Sequence, residues 1–314
     1  MLWLFVGAGL SREMKHRAQA RSYNFAAAST VPAVTHHSLL TAPPMPELPE
    51  VETTRRGIEP HLLGRAVRRL LVREPRLRWP VPDSVADGLI GLPLERVRRR
   101  AKYLLLDNPR GSAIVHLGMS GSLRVLDIDV PLKAHDHWDL LLDDDRLLRY
   151  NDPRRFGCLL WQATGEVHPL LAALGPEPFD PGFDGSYLYA RAHGRSGPVK
   201  HFLMDQNIVV GVGNIYAAEA LFRAGIDPRR AAGRVSLARF ELLAQAVKSI
   251  LSHAIERGGT TLRDFLRPDG EPGYFEQELQ VYGRAGEPCR VCAAPINSVR
   301  LGQRSSFYCG KCQR

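Results

Sequence analysis

The sequence predicts an α+β protein of several domains, and three features carry that expectation. Short β-prone runs separated by Gly, Pro and Asp fill residues 65–162, at the spacing of an antiparallel sandwich or barrel. A helical apolar period takes over after a Pro/Gly/Asp-rich stretch at 174–185. The chain then closes on two Cys-x-x-Cys pairs. Its 314 residues leave room for two domains and a small appended module.

Residues 1–45 stand apart. MLWLFVGAGL is apolar but has no basic region before it, and the stretch that follows is basic, rich in Ala and Ser and nearly free of acids. The segment is read as upstream sequence from a wrongly chosen start. A removed targeting segment and a retained tail are the alternatives, and no folded domain is expected there. At Met45 the chain reads MPELPEVETTRRGIEPHLLGR, which resembles a beginning, with Val51, Ile58, Leu62 and Leu63 on one helical side. Strands are expected at AVRRLLVR, KYLLLD, SAIVHLG, GSLRVLD, RLLRY and CLLW. Helices are expected at VKHFLMD, NIYAAEALFRAG and SLARFELLAQAVKSILSHAIERGG, the last with Ser236 as N-cap and Gly258 as stop. TTLRDFLRPDGEPGYFEQ, 260–277, is a loop candidate.

Charge narrows the partner. The formal net charge is +9, and Arg12, Lys15, Arg17 and Arg21 against Glu13 put +3 of it in residues 1–44. The remaining +6 suits a polyanion, although many soluble proteins are mildly basic. No apolar run approaches the roughly 18 residues of a membrane span.

The cysteines are more specific. Cys289-x-x-Cys292 and Cys309-x-x-Cys312, sixteen residues apart, have the spacing of a four-thiolate zinc site on a hairpin. Gly302 and Gln303-Arg304-Ser305-Ser306 would form the tip. With all four positions filled by protein, one Zn²⁺ would be structural. A disulfide pair would need an oxidising compartment that nothing else in the chain supports. Cys158, in an apolar strand, is a core thiol.

Two loops add to the nucleic-acid case. Met119 in GMSGS sits in a turn, either folded back into the core or held out as an apolar wedge between bases. In NDPRRFG, Arg154, Arg155 and Phe156 follow an Asp-Pro turn and suit phosphate contact with stacking, or a plain solvated turn. The basic run 97–107 reads as a solvated strand edge. HDH at 135–137 superficially resembles a metal pair but has no companion ligands.

From Met45 onward the motifs MPELPEVET, RRAKYLLL, HLGMSGSLR, HDHWDL, DPRRFG, LGPEP, VVGVGNIYAAEALF, GGTTLRDF, PGYF, QVYGRAGEPCRVC and GQRSSFYCGKCQ run in order. On these the chain resembles the bacterial formamidopyrimidine-DNA glycosylases over that family's whole length. The resemblance implies an N-terminal helix on an antiparallel β-sandwich, a helix–two-turns–helix domain and a C-terminal β-hairpin zinc finger. It sets a catalytic domain at 46–175, a linker at 176–185, a helical domain with a lesion-capping loop (262–282) at 186–279, and the finger at 280–314.

It implies excision of oxidised purines (8-oxoguanine and formamidopyrimidines) from duplex DNA, then strand cleavage by β,δ-elimination. Pro46 matches the nucleophile, a secondary amine whose Schiff base with the sugar is necessarily a cation. That role needs the nitrogen free of a peptide bond. Glu47 matches a general acid/base, although on position alone it is a helix N-terminal acid. Lys102 matches a proton-transfer lysine and Arg304 a phosphate-gripping arginine that assists elimination. Glu50 and Glu219 match residues of the lesion pocket. Met119, Arg154 and Phe156 match residues that fill the void left by the extruded nucleotide. His135, Arg195, Lys200 and Asn214 match backbone-binding positions, Asn214 at a helix N-terminus whose amides suit a phosphate. The expected partner is duplex DNA bearing oxidised purines or abasic sites, bound by a monomer in the bacterial cytoplasm. An endonuclease VIII-like preference for oxidised pyrimidines, or a lyase-inactive DNA-binding form retaining 1–45, are the alternatives.

Overall fold

The computed structural model describes residues 46–259 and 278–314, so the extension 1–45 and most of the capping loop 262–282 lie outside the described residues. Helix α1 (Leu48–Leu62) opens the fold with Pro49 in its first turn, where a missing N–H is harmless. The Glu50 carboxylate accepts a hydrogen bond from the Glu47 N–H at 3.0 Å, closing that turn. Leu48, Val51, Ile58 and Leu62 are buried on one face. Leu63, expected with them, is the C-cap residue in extended backbone and turns outward, 42% exposed.

The strands form a sandwich, not a barrel. β1 (Val67–Val72) is followed by the short helix α2 (Ser84–Leu89), then β2 (Arg96–Arg100), β3 (Tyr103–Asn108), β4 (Gly111–His116), β5 (Ser122–Asp127), β6 (Asp136–Leu142), β7 (Arg146–Asn151) and β8 (Cys158–Ala163). One antiparallel sheet runs β1-β6-β7-β5 and the other β2-β3-β4-β8. In the second, the central strands β3 and β4 are buried on both faces, which explains their nearly continuous apolar runs, while edge strand β2 keeps Arg96 and Arg98 exposed. Leu104, Leu106, Ala113, Val115 and Leu159 face the sandwich interior. Leu105, Ile114, Cys158 and Leu160 face the opposite side, covered by Leu171 of α3 (Pro169–Ala172) and by Trp79.

Strand β6, helices α2 and α3, and a helix over Gly185–Ala192 are additions to the elements expected from sequence. Two acids disguise β6, and both are buried against arginines from β5, β7 and the residue after β1. Asp139 takes two bonds of 2.9 Å from Arg149 and pairs with Arg73; Asp136 pairs with Arg124 at 2.7 Å. Buried charge of this kind survives only when matched.

After the 174–184 segment come α4 (Gly185–Ala192), α5 (Val199–Met204), α6 (Asn214–Arg223) and α7 (Leu237–Glu256). Ser236 occupies the N-cap of α7, and Gly258, at φ +77°, follows its last turn. Helix α1 packs on β2, β3 and β5 from one side and on α7 from the other, so a single apolar cluster runs through sandwich and helices. Each fully buried Leu or Ile there contributes about 1.5–3 kcal/mol.

The C-terminal hairpin, β9 (Ile296–Leu301) and β10 (Arg304–Cys309), owns a small separate cluster of Val281, Ile296 and Phe307 against Ala218 of α6. Its tip is Gly302-Gln303 alone, with Gly302 at φ +56°; Arg304, Ser305 and Ser306 are already paired strand residues, not the tip expected. Among the described residues no helix is long and apolar enough to cross a membrane.

Candidate active site

The site forms where the start of α1 meets the N-terminus of α6. Glu47 is 2% exposed, and its carboxylate accepts from the N–H groups of Gly213 (2.7 Å), Ile215 (2.9 Å) and Tyr216 (3.4 Å). These are the free amides of a helix end, a ready anion site. Three of these amides, those of Gly213, Ile215 and Tyr216, are thus taken by Glu47. The two glycines of VVGVGN make the approach possible. A Cβ on Gly213 would lie 2.4 Å from the Glu47 Cδ, and one on Gly211 (φ +81°) 2.5 Å from Leu48. The Leu48 N–H donates to the Gly211 carbonyl at 3.1 Å, tying Pro46-Glu47-Leu48 to this loop. Pro46 itself is buried.

Cations surround Glu47. Lys102, 7% exposed, lies in the tight turn between β2 and β3, after Ala101 in left-handed backbone (φ +54°). Glu177, from the segment before α4, holds that turn by accepting from the Ala101 N–H (2.7 Å), Arg99 (2.7 Å) and Arg100 (3.0 Å). Burial raises the Glu47 pKa, opposed first by the Lys102 charge. Burial lowers that of Lys102, opposed by Glu47 and reinforced by Arg304. Arg304, exposed, opens β10 opposite Leu301.

Two residues expected to contact the DNA backbone also bond that strand. Lys200 is 1% exposed, its ammonium donating to Ser306 Oγ at 2.9 Å and Ser305 O at 3.4 Å. Burial takes its pKa down to about 8, against the pull of Glu47. Asn214 Nδ2 donates to Ser305 O at 3.1 Å. Both support the strand that carries Arg304.

The pocket glutamates diverge. Glu50 is wholly buried, accepting from Tyr216 Oη at 2.7 Å and lying against Gly259. Glu219 turns away from Glu47. Its carboxylate accepts from the N–H groups of Gln280 (2.8 Å), Val281 (3.0 Å) and Tyr282 (2.8 Å), and so anchors the approach to the finger. Tyr216 and Tyr282, which sequence reasoning passed over, join the cluster; burial raises the Tyr282 phenol, as does the Glu47 charge.

Met119, Arg154, Phe156 and His135 share a separate surface at one end of the sandwich. Met119 is half-buried in its turn, whereas Phe156 is 44% exposed with the Arg154 guanidinium 4.8 Å over its ring. Arg155 is committed to Glu74 at 3.2 Å. His135 is exposed at φ +69°, and His137 bonds the Asp152 carbonyl at 2.7 Å. Arg195, between α4 and α5, packs over Phe202 and lies 3.6 Å from Asp205.

The four finger cysteines converge with their sulfurs all within 4.8 Å of one another. Cys292–Cys309 and Cys289–Cys312 stand at 3.4 and 3.9 Å, too far for disulfides and near the roughly 3.8 Å edge of a tetrahedral thiolate site. The donor set fits a structural metal ion.

Most of the chain matches known proteins in sequence and fold. Residues 45–159 match the formamidopyrimidine-DNA glycosylase N-terminal domain, 174–266 the formamidopyrimidine-DNA glycosylase H2TH domain, and 286–314 the zinc finger found in FPG and IleRS. The formamidopyrimidine-DNA glycosylase of Stenotrophomonas maltophilia (strain R551-3) is 66% identical over 270 residues, 86% of this chain and 100% of its own. That of Xanthomonas oryzae pv. oryzae (strain PXO99A) is 62% identical over 271, again 86% and 100%. The crystal structure of MutM (Fpg) from Thermus thermophilus superposes with a TM-score of 0.78 at 37% identity, covering 85% of this chain and 98% of that one. Lactococcus lactis Fpg in complex with DNA containing an abasic site superposes with a TM-score of 0.79 at 32% identity, covering 85% and 99%. Sequence, fold and site together place this chain in the formamidopyrimidine-DNA glycosylase family of bifunctional DNA glycosylases and AP lyases.

Proposed function

We propose that the chain removes oxidised purines, 8-oxoguanine and formamidopyrimidines, from duplex DNA through an amine at Pro46, and then cuts the strand by β,δ-elimination. The observation that carries this is the setting of Glu47: next to Pro46, fixed in three amides, and sharing its field with Lys102, Lys200 and Arg304. The Pro46 nitrogen attacks C1′, the glycosidic bond breaks, and the base leaves with its electron pair and a proton. Glu47 protonates the ring oxygen as the sugar opens, leaving a cationic iminium. That cation acidifies C2′, so a proton leaves there as the C3′–O bond breaks; a second elimination breaks C5′–O. Lys102 moves protons beside the lesion, and Arg304 holds the phosphates and assists both eliminations. Hydrolysis then frees Pro46.

Met119, Arg154 and Phe156 fill the gap in the duplex, while His135 and Arg195 hold its backbone. Lys200 and Asn214 act at the DNA backbone beside the strand that carries Arg304, whose Ser305 O and Ser306 Oγ they bond, and Glu50 sits behind the lesion. A zinc ion bound by Cys289, Cys292, Cys309 and Cys312 would hold the hairpin that carries Arg304. The unit acts as a monomer, with a catalytic domain at 46–175, a helical domain at 186–279 and the finger at 280–314.

Chemistry sets one condition. In the 314-residue chain the Pro46 nitrogen is acylated by Met45 and has no lone pair to give. The form beginning at Pro46 should be trapped on 8-oxoguanine duplex by borohydride as a covalent adduct, and the form retaining 1–45 should bind DNA without trapping. An adduct formed equally by both would remove Pro46 from the mechanism. Faster excision of thymine glycol than of 8-oxoguanine would move the substrate to oxidised pyrimidines.

A further inference from the structure

The surface carrying Met119, Arg154, Phe156 and His135 is built from three separate loops, and one buried group touches all three. Asp152 is 0% exposed. Its Oδ1 accepts from Ser120 Oγ at 2.8 Å, beside Met119, and from the Arg154 N–H at 3.2 Å. Its Oδ2 accepts from the Gly157 N–H at 2.9 Å, beside Phe156, and from Tyr150 Oη at 3.0 Å. The Asp152 N–H donates to the His135 carbonyl at 3.1 Å, and the Asp152 carbonyl accepts from His137 Nε2 at 2.7 Å and from the Arg155 N–H at 3.2 Å.

Three details show that the loops need such a hub. His135 and Arg155 hold positive φ (+69° and +55°) without being glycine, a conformation that persists only where neighbours enforce it. The Met119 and Phe156 loops abut through backbone, since a Cβ on Gly118 would fall 2.5 Å from the Gly157 nitrogen. The four donors also use the acceptor capacity of a carboxylate, whereas an asparagine would turn its NH₂ toward two of them. Burial and the Asp152 charge hold the Tyr150 phenol well above its usual range, so it stays a donor.

We propose that Asp152 is the positioning residue of the void-filling surface, one buried carboxylate that sets Met119, Arg154, Phe156 and His135 at a fixed mutual spacing before DNA arrives. The proposal rests on the assignment of Met119, Arg154 and Phe156 to the gap in the duplex. A merely structural Asp152 would weaken every activity alike; a positioning one acts only where a base must be replaced in a stack.

The test compares Asp152→Asn with the parent, both with Pro46 free, in single-turnover excision of 8-oxoguanine from duplex and in cleavage of an abasic site in single-stranded DNA. The expected result is about 100-fold slower excision from duplex, with single-strand cleavage within about threefold of the parent. 2-Aminopurine opposite the lesion should show an altered fluorescence change on binding, reporting a misplaced wedge. Met119→Ala and Phe156→Ala serve as references. If they slow duplex excision while Asp152→Asn leaves it at the parental rate, the positioning proposal is overturned and the void-filling assignment stands. If they leave excision unchanged, the assignment fails and the proposal with it. Should Asp152→Asn not fold, Ser120→Ala, which cuts only the link to the Met119 loop, should slow duplex excision about tenfold. An equal loss on both substrates would overturn the proposal.

Discussion

Helix α6 serves two buried glutamates, and their contrast explains more of the site than either does alone. Glu47 sinks its carboxylate into the amides at the start of α6; Glu219, on α6 itself, reaches the amides of 280–282. Burial raises the pKa of both. What differs is what answers that burial. For Glu219 the three amides answer it first, with only the distant help of Arg284, so the carboxylate is a tether. For Glu47 the Lys102 charge answers it first, with Glu50 pushing the other way and the Pro46 nitrogen adjacent. A displaced pKa marks burial. It marks a proton-handling group only where other titratable groups share the field.

The contrast can be broken in several ways. Glu47→Gln keeps the shape but turns its NH₂ toward at least one of the amides that now donate to the two carboxylate oxygens, so the fold should survive at some cost in stability while excision falls by about 10²–10⁴, the range of general acid/base catalysis. Single-turnover kinetics read this, and a loss below tenfold would put Glu47 in the same class as Glu219. Removing the metal with a chelator, or Cys309→Ser, should weaken lesion-duplex binding by about 100-fold or more through loss of the hairpin that carries Arg304. Circular dichroism should show the sandwich intact, because the finger has its own apolar cluster.

Glu219→Ala would leave three amides without acceptors, at about 1–3 kcal/mol of stability. Thermal denaturation should detect this, while excision at low temperature stays within severalfold of the parent. Lys200→Met should show the smallest effect, and one of the opposite sign. The native pKa of about 8 lies below the ordinary lysine value, so the native state binds fewer protons between the two. Stability linked to Lys200 is complete above the unfolded pKa of about 10.5 and is lost as the pH falls toward about 8. Methionine should therefore raise the melting temperature at pH 7, with the gain fading above pH 9. A drop at pH 7 would show that the bond to Ser306 outweighs the burial of the charge.

How much of this was legible in sequence depended on whether a residue's chemistry is local. The α1 face, the doubly buried strands and the four thiolates were readable because apolar period and spacing state them directly. Strand β6 was not, since Asp136 and Asp139 break its apolar run and their partners Arg124, Arg149 and Arg73 are fixed only by the pairing of the folded sheet. The same limit hid the partners that Lys200 and Asn214 have within the protein. Their types suit phosphate, but what they meet is decided by the hairpin folding back over α5 and α6. Gly211 and Gly213 stand in the motif VVGVGN, yet the group they admit, Glu47, lies 166 residues from Gly213 in sequence.

The continuity of the core across α1 and α7 has a consequence for modular exchange. The 174–184 segment looks like a natural place to cut and recombine, but the apolar cluster does not stop there. A sandwich severed at this point would carry Leu48 and Val51 of α1 into water, together with the pair Pro46-Glu47 that α6 no longer shields. Such a fragment would stick to itself before it could be assayed. Selection acting on either half is thus felt through the same buried surface, and homologous halves from different hosts should exchange only where the two faces of α1 still fit.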